Sequence, residues 1–187
     1  GIYKFEEGHY PISFEKEVKD PEHHPFPTPS GKIELFSTKL WKTPMKDFMP
    51  PIPRYVAPPE GPEDPLTKRF PLQLSGWHSK CRTHTVLNLR KLDPQKLWIH
   101  PEDAAARSIH DGDMVLVYND RGQVKIPAKI TDRVAKGVAT LSQGTWYTPD
   151  ENGVDTRGSI NVLTSQRPTP FARGNGQHTN LVEVKKL

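Results

Sequence analysis

The residues best suited to chemistry lie together in residues 74–85. The apolar run Phe70 to Leu74 is typical of a buried strand that ends at Gly76, and the loop after it has no hydrophobic periodicity that packing would explain. The loop contains an indole, two imidazoles, two cations and several hydroxyls, on Trp77, His78, Ser79, Lys80, Arg82, Thr83, His84 and Thr85. Guanidinium, hydroxyl and backbone N–H groups suit phosphate oxygens, and an indole can cover a planar ring. The segment therefore predicts a binding site for a phosphate-bearing, partly aromatic ligand.

The same residues allow three other interpretations. An ordinary polar surface loop would have a similar composition. His78, Cys81 and His84 have a spacing that metal ligands use, but the sequence offers no fourth ligand. A nucleophile pair of Cys81 and His84 would lack an orienting acid nearby. We therefore predict a binding loop, with no metal ligand and no catalytic residue in this chain.

Proline and charge are divided unevenly along the 187 residues. Residues 1–65 hold 13 of the 20 prolines and a net charge of −3, whereas residues 66–187 carry a net charge of +7. Proline restricts its own backbone and that of the preceding residue, so residues 1–65 are expected to be largely extended. Within them, residues 1–31 are expected to be irregular and to lie over another surface without a core of their own. We predict a domain boundary near residue 65, with a globular domain in residues 66–187.

Composition also excludes several classes of protein. A single cysteine, Cys81, excludes an internal disulfide and an iron–sulfur cluster ligated by cysteines of this chain alone. No apolar run approaches the length that spans a bilayer, and the N-terminus lacks a basic-then-apolar signal pattern. We expect a mature protein or a piece of a longer one, without direct membrane insertion.

Short strands dominate the expected secondary structure. Residues 30–37 read as a turn followed by an alternating strand with Ile33 and Leu35 on one face. Residues 86–89 are consistent with either a helical turn or a short strand. In the globular part the patterns predict a helix at 100–107 and strands at 114–118, 123–130, 138–141 and 181–184, with a loop at 142–158. The result is a compact β-rich unit with one or two short helices, not a parallel βαβ sheet.

Four motifs, in order, resemble a known family. They are residues 28–37, the loop from Gly76 to Thr85, residues 100–104 with 112–115 and 119–122, and residues 161–164 continuing to 180–184. At these separations the chain resembles the C-terminal molybdopterin dinucleotide-binding domain of the dimethyl sulfoxide reductase family. Residues 159–170 are most similar to the anaerobic dimethyl sulfoxide reductase catalytic subunit.

The resemblance implies a six-stranded double-psi β-barrel preceded by an irregular proline-rich extension. It implies a molybdenum cofactor with two molybdopterin guanine dinucleotides, completed only by the rest of a parent enzyme that also carries an iron–sulfur cluster. Carried over residue by residue, it implies cofactor contacts from Gly76, Trp77, His78, Ser79, Arg82, Thr83, His84, Asn161 and Gln177. The implied partners are the other domains of that parent, an iron–sulfur subunit and a membrane anchor, at the periplasmic face of the bacterial inner membrane. The chain alone is then expected to fold without being catalytically active.

Two functions of other classes compete with this interpretation. The net charge of +7 in residues 66–187 is compatible with a nucleic-acid-binding module, but the aromatic residues are not interleaved with the basic ones as a stacking platform requires. Double-psi barrels also serve as adaptor domains, so a pure interaction module is the other alternative. Asn161 could equally be a turn residue, and the glycines of residues 174–177 could serve only a turn.

Overall fold

The computed structural model describes residues 12–80, 82–86 and 95–187. Its contacts divide the chain into two compact units between Val56 and Ala57. The functional division at residue 65 stays a prediction, and residues 57–65 belong by their contacts to the second unit.

The first unit contains two short helices, α1 (Glu15–Lys19) and α2 (Thr38–Trp41). An ion pair between Lys19 and Glu15 joins the ends of α1, and the Ser37 hydroxyl caps α2 by accepting from the Leu40 N–H. None of the residues described between 12 and 56 is buried. This unit therefore has no hydrophobic core among its described residues, and α1 interrupts the irregular course expected for residues 1–31.

The strand predicted within residues 30–37 is wrong. Ile33 and Leu35 are 69% and 80% exposed, and the backbone there pairs with no strand in the described chain. Instead, the Thr28 hydroxyl donates to the Lys32 carbonyl oxygen at 2.6 Å and the Ser30 N–H donates to the Glu34 carboxylate at 3.1 Å. These local side-chain hydrogen bonds satisfy backbone groups that no neighbouring strand pairs with, and the chain turns here instead of forming a strand.

The second unit is built on six strands and one helix. The strands are β1 (Leu72–Trp77), β2 (Leu97–Ile99), β3 (Met114–Tyr118), β4 (Gln123–Ile130), β5 (Val138–Ser142) and β6 (Asn180–Lys186), and the helix is α3 (Pro101–Ala105). Two 3-10 turns lie at Pro65–Lys68 and Ile160–Val162. The predicted strands and helix are confirmed, and β2 is an addition. The expectation for residues 86–89 falls mostly on residues outside the described part.

The strands close into a barrel in the order β1-β5-β2-β4-β3-β6. The pairs β1/β5 and β2/β4 are parallel, and the other four neighbours are antiparallel. The predicted six-stranded double-psi β-barrel is confirmed.

Alternation along the strands fills the barrel. In β4 the side chains of Val124, Ile126 and Ala128 are buried while those of Gln123 and Lys125 are exposed. The same period of two places one face of each strand in a single apolar cluster that also includes residues of the Ile160–Val162 turn. The turn is therefore anchored in the core.

The register of the parallel pair β1/β5 fixes the position of the candidate loops. Gly76 lies opposite Leu141, and Trp77 lies opposite Ser142. Since parallel strands run in the same direction, the loop after β1 and the loop after β5 leave the barrel at the same end.

Candidate functional site

Gly76 lies where the predicted binding loops meet. A Cβ atom added to Gly76 would be 3.2 Å from the Ile160 side chain and 3.7 Å from those of Gln143 and His178. The Gly76 N–H points to His178 Nδ1 at 3.4 Å. Ile160 and His178 are the sequence neighbours of Asn161 and Gln177, so the structure brings the 76–86 loop and the 160–178 segment to one end of the barrel. The absence of a side chain at Gly76 allows this approach.

Arg82 joins the first loop to the end of β5. Its Nε donates to the Gln143 carbonyl oxygen at 3.2 Å, and its Nη2 donates to Ser142 Oγ at 2.6 Å and to Gln95 Oε1 at 3.1 Å. These acceptors hold the guanidinium in place, and such preorganisation lowers the entropic cost of binding an anion. The contact of Arg82 with a phosphate stays a prediction, and in this structure its side chain fixes the loop.

Aromatic rings at the start of the first loop make two ring-to-ring contacts, neither of them a parallel stack. The Trp77 ring packs against Trp98 with centroids 5.0 Å apart, and the His78 and His84 rings meet edge to face at 4.9 Å. The Trp77 Nε1–H is buried and has no acceptor in the described part of the chain. A buried N–H without a partner is costly, so a bound ligand that accepts from it would be stabilised.

The remaining predicted residues of this loop are at or near its surface. Ser79 is half-buried, whereas Thr83 is exposed and pairs with Val86 in an isolated bridge. His84 has a φ of 47°, and the backbone of His84 lies so close to Gly144 that a Cβ added there would be 1.8 Å from the His84 carbonyl oxygen. The tight contact shows that the first loop packs directly on the loop after β5. Cys81 lies outside the described residues, and those described contain no group of three potential metal ligands.

A cleft of about 300 Å³ lies beside the Ile160–Val162 turn. Its lining is polar and contains hydroxyls, amides and two arginines, contributed by Asn161, Thr164, Ser165, Gln166, Arg167, Pro168, Arg173, Gly174 and Asn175. Asn161 lines this cleft, and its contact with the cofactor stays a prediction. Gln177 does not line the cleft, and its carbonyl oxygen accepts from Asn180.

The charge of the cleft is positive. No carboxylate lines it, and residues 161–182 contain neither Asp nor Glu. Within the described residues, the guanidinium groups of Arg167 and Arg173 form no ion pair and no hydrogen bond. Two unpaired guanidinium groups at a concave polar surface are suited to an anion with several oxygens.

A tight loop presents Arg173 to the cleft. Pro168 and Asn175 form an isolated antiparallel bridge, and Thr169 exchanges hydrogen bonds with Gly174 through both its backbone N–H and its hydroxyl. Arg173 has a φ of 52°, a left-handed conformation that a non-glycine residue adopts at a cost. The loop geometry therefore fixes the backbone that carries this cation.

The cleft has two walls, residues 161–168 and residues 173–175, and Asn180 connects the chain segments that form them. Its side chain is fully buried, its Oδ1 accepts from the Ser165 N–H at 2.6 Å, and its Nδ2 donates to the carbonyl oxygens of Gly176 at 3.1 Å and Gln177 at 3.0 Å. One buried amide thus joins the 161–168 wall to the segment that follows the 173–175 wall.

A buried carboxylate organises the segment that leads to the cleft. Asp155 is fully buried and accepts from the N–H groups of Thr148 at 2.8 Å, Gly158 at 2.6 Å and Ser159 at 2.7 Å. Three backbone donors satisfy the charge, since an unpaired buried carboxylate would be strongly unfavourable. Asp155 therefore fixes the chain immediately before the Ile160–Val162 turn.

Arg167 and Arg173 are candidate ligands that were not among the residues predicted from the sequence. Their signal was available as two arginines in a 22-residue stretch without any acid, residues 161–182, next to turn-forming glycines. The separation of six residues between the two arginines does not by itself place them at one site, and it is the loop of residues 168–175 that brings both to the cleft. The family motifs drew attention to the stretch, and the geometry identifies its cations.

A dinucleotide with a fused polar ring fits this set of donors. Cations for phosphate oxygens, side-chain amides for ring edges and the unpartnered Trp77 Nε1–H lie at one end of the barrel. A cleft of about 300 Å³ is at the lower limit of ligand pockets, so it has room for part of such a molecule.

A closed double-psi barrel with an acid-free cationic cleft and a donor-rich loop defines a domain that holds an anionic ligand containing a ring. Residues 71–181 match the family model described as Molydopterin dinucleotide binding domain. The chain belongs to this family of molybdopterin dinucleotide-binding domains, as its motifs predicted.

Relatives over the whole chain are dimethyl sulfoxide reductases. The chain is 44% identical to the dimethyl sulfoxide reductase DmsA of Haemophilus influenzae and 45% identical to DmsA of Escherichia coli, with all of this chain covered in both cases. It is also 38% identical, over 90% of its length, to the dimethyl sulfoxide/trimethylamine N-oxide reductase of Rhodobacter capsulatus. The chain spans about a quarter of the length of these relatives: 25%, 24% and 22%.

One solved structure confirms the fold. The acetylene hydratase of Pelobacter acetylenicus superposes with a TM-score of 0.70 over 90% of this chain and 25% of that chain, at 19% identity.

Proposed function

We propose that this chain is the C-terminal cofactor-binding domain of a molybdenum oxidoreductase that reduces a sulfoxide or an N-oxide by oxygen-atom transfer. The observation that carries the proposal is the acid-free cleft with the unpaired Arg167 and Arg173, at the same barrel end as the donor-rich 76–86 loop. The names of the relatives supply the reaction class. The bound group would be a bis(molybdopterin guanine dinucleotide), held in part by other domains of the same enzyme.

The residues of this chain bind and orient the cofactor in this proposal. Arg167 and Arg173 neutralise phosphate charge, and Asn161 bonds the polar edge of a ring, with Trp77 Nε1–H as a further donor. When bound, the cofactor would supply a metal centre able to donate the two electrons that oxygen-atom removal from the substrate requires and to take up two electrons again from a donor. No side chain of this chain is assigned a proton transfer or a covalent step. The isolated chain is accordingly inactive, and oxygen-atom transfer by it without a partner would overturn this part of the proposal.

The proposed parent enzyme has further components. Its other domains complete the cofactor site, an iron–sulfur cluster and an iron–sulfur subunit deliver electrons, and an anchor subunit holds the assembly at the periplasmic face of the inner membrane. Within the described residues, this chain has no helix of the length and apolar character that spans a membrane.

Binding of a guanine nucleotide tests the role of the cleft. GDP, a soluble probe with the base and the diphosphate, is titrated into the 187-residue chain by isothermal calorimetry. Replacing both arginines in R167Q/R173Q removes two charge-assisted contacts of about 1.5–3 kcal/mol each, so the affinity is expected to fall at least tenfold. The control is Arg133→Gln, which removes one cation from an exposed position outside the cleft.

The outcomes separate the competing functions. Equal GDP affinity for the wild type and R167Q/R173Q would refute the cleft as a nucleotide site. Tighter, salt-sensitive binding of a single-stranded oligonucleotide than of GDP in the same buffer would favour the nucleic-acid-binding module. In the longer enzyme, Arg82→Ala is expected to lower the molybdenum content, and unchanged loading would favour an interaction domain instead.

A further inference from the structure

The proline-rich stretch before the barrel forms a compact turn that presents Glu60. The Glu60 N–H donates to Asp64 Oδ2 at 3.0 Å, and the Gly61 N–H donates to the Pro58 carbonyl oxygen at 3.1 Å. Gly61 is buried, and a Cβ added there would be 2.9 Å from that same oxygen. Glu60 itself has a φ of 54°. A left-handed glutamate persists only where its surroundings fix it, so this turn has a defined conformation.

The Glu60 carboxylate forms a two-point ion pair with Arg121. Arg121 Nη1 donates to Oε1 at 2.7 Å and Nη2 donates to Oε2 at 2.8 Å. The two side chains are 13% and 29% exposed, which makes this pair much less solvated than the surface pair of Arg69 and Asp120 at 62% and 56%. A charge pair in a mostly buried position depends on both partners, because removal of one leaves the other poorly solvated.

Arg121 holds the wall of the cleft. Its Nε and Nη2 donate to the Leu163 carbonyl oxygen at 2.9 and 2.8 Å, and Asn119 Nδ2 donates to the same oxygen at 2.9 Å. Leu163 precedes Thr164, the next cleft-lining residue after Asn161. Three donors on one carbonyl oxygen fix the backbone at this point.

Glu60 also contacts the other support of the cleft. The Leu181 N–H donates to Glu60 Oε2 at 3.0 Å, and Leu181 follows Asn180, whose amide joins the two walls. The Glu60 carboxylate thus bonds both Arg121, which holds one wall of the cleft, and β6, which begins at Asn180. Glu60 does not line the cleft and lies before residue 71, where the family match begins.

We propose that Glu60 is a positioning residue that holds the nucleotide cleft in its binding shape through Arg121 and Leu181. The proposal rests on the proposed function, since it assigns the cleft to a nucleotide. Without the carboxylate, Arg121 loses its counter-charge and turns towards solvent, and the Leu163 carbonyl oxygen loses two of its three donors. The cleft wall that begins after Leu163 then samples other conformations, and ligand binding has to overcome the entropic cost of ordering it.

Glu60→Gln tests the proposal with little change of shape. The new amide nitrogen would face either Arg121 Nη1 or both Arg121 Nη2 and the Leu181 N–H, and each placement sets a donor against a donor. The 187-residue chain is expected to bind GDP about fivefold more weakly, in the range found for residues that act on a site through others. Amide hydrogen exchange of residues 163–167 is expected to accelerate. Glu151→Gln, which removes a carboxylate from an exposed turn, is the matched control and should change neither quantity.

A double-mutant cycle separates positioning from general stability. If Glu60 acts through Arg121 as well as Leu181, the effect of Glu60→Gln on GDP affinity is clearly smaller in an Arg121→Gln background, where only the Leu181 contact is left to lose. An equal effect in both backgrounds would overturn the proposal, as would a lowered urea midpoint with unchanged GDP affinity. If the wild-type chain does not bind GDP, the proposed function fails separately. Hydrogen exchange then decides the inference, and unchanged protection of residues 163–167 in Glu60→Gln would refute it.

Discussion

Replacing Asn180 by Asp is expected to make the stability of the domain depend on pH. The buried Asn180 amide donates to two carbonyl oxygens and accepts from one N–H. A protonated Asp retains the acceptor and donates to one of the two carbonyl oxygens. An ionised Asp loses both donations, and its charge is buried facing the two carbonyl oxygens. The ionised form is therefore strongly disfavoured in the folded state.

The magnitude follows from the pKa of the introduced carboxyl. Full burial raises the pKa of a carboxyl by up to about 3–5 units, and the Ser165 N–H offsets part of this, so we take a rise of about 2.5 units above the unfolded value of about 3.9. A folded pKa above the unfolded pKa means that the folded chain binds the extra proton. The contribution to stability is thus fully present below about pH 4 and is lost as the pH rises through about 6.4. At pH 7 the added cost is about 3.4 kcal/mol, from 1.36 kcal/mol per unit.

Urea unfolding followed by tryptophan fluorescence measures this cost. The free energy of unfolding of Asn180→Asp is compared with that of the wild type at pH 4 and pH 7, so that the titration of all other groups cancels. Asn180→Leu is the control, because its cost arises from the unsatisfied Ser165 N–H and does not titrate. A difference between Asn180→Asp and the wild type that is the same at both pH values would refute the assigned hydrogen bonds.

Three further outcomes are expected. Asp155→Asn is expected to lower the free energy of unfolding by about 2–3 kcal/mol, since it weakens charge-assisted bonds from three backbone N–H groups; an unchanged thermal midpoint would contradict this. Gly122→Ala would place a Cβ 2.4 Å from Val162 Cγ1, so the free energy of unfolding in urea is expected to fall by about 1–3 kcal/mol. The double variant G122A/V162A removes the clashing methyl group and is expected to recover part of this loss, and no recovery would contradict the contact. The Lys136 ammonium, through its hydrogen bond, is the largest cause of the lowered pKa of the exposed Glu102 carboxyl, so Lys136→Met is expected to raise that pKa, and an NMR titration that shows no rise would contradict the ion pair.

The barrel strands were predictable wherever local pattern and tertiary environment agree. Residues 123–130 alternate because one face of β4 fills the barrel, and the connection at residues 119–122 is short enough to force an antiparallel pair with β3. The strand β2 has three residues, too few to show any period. Residues 33–36 show that an alternating pattern is not sufficient, because a strand also needs a neighbour for its backbone groups.

The residue types of the site were predictable from the sequence, but the contacts between those residues were less so. Arg82 has the right type for a phosphate, but its side chain bonds Ser142 at the end of β5 and Gln143 just after it, 60 and 61 residues away. No local pattern encodes such a contact. Asn161 was selected from its motif, and the structure places it at the edge of the cleft, while its contact with a ligand stays a prediction. The contribution of Glu60 could not be foreseen, since a proline-rich stretch predicts an extension and its contact with Arg121 depends on the closed barrel.

Closure of the barrel has a consequence for how the domain is made. β6 lies between β3 and β1, and its Leu181 pairs with Gln73, more than one hundred residues earlier in the chain. During synthesis, β1 and β3 therefore keep one unpaired edge each until β6 has left the ribosome, and the pairing then closes a long loop, which is entropically slow. Glu60 is made 61 residues before Arg121 and 121 residues before Leu181, so its set of contacts is complete only after β6 has emerged. The cleft can thus form only at the end of folding, so a nascent chain stalled before β6 is expected to expose two sheet edges that favour aggregation.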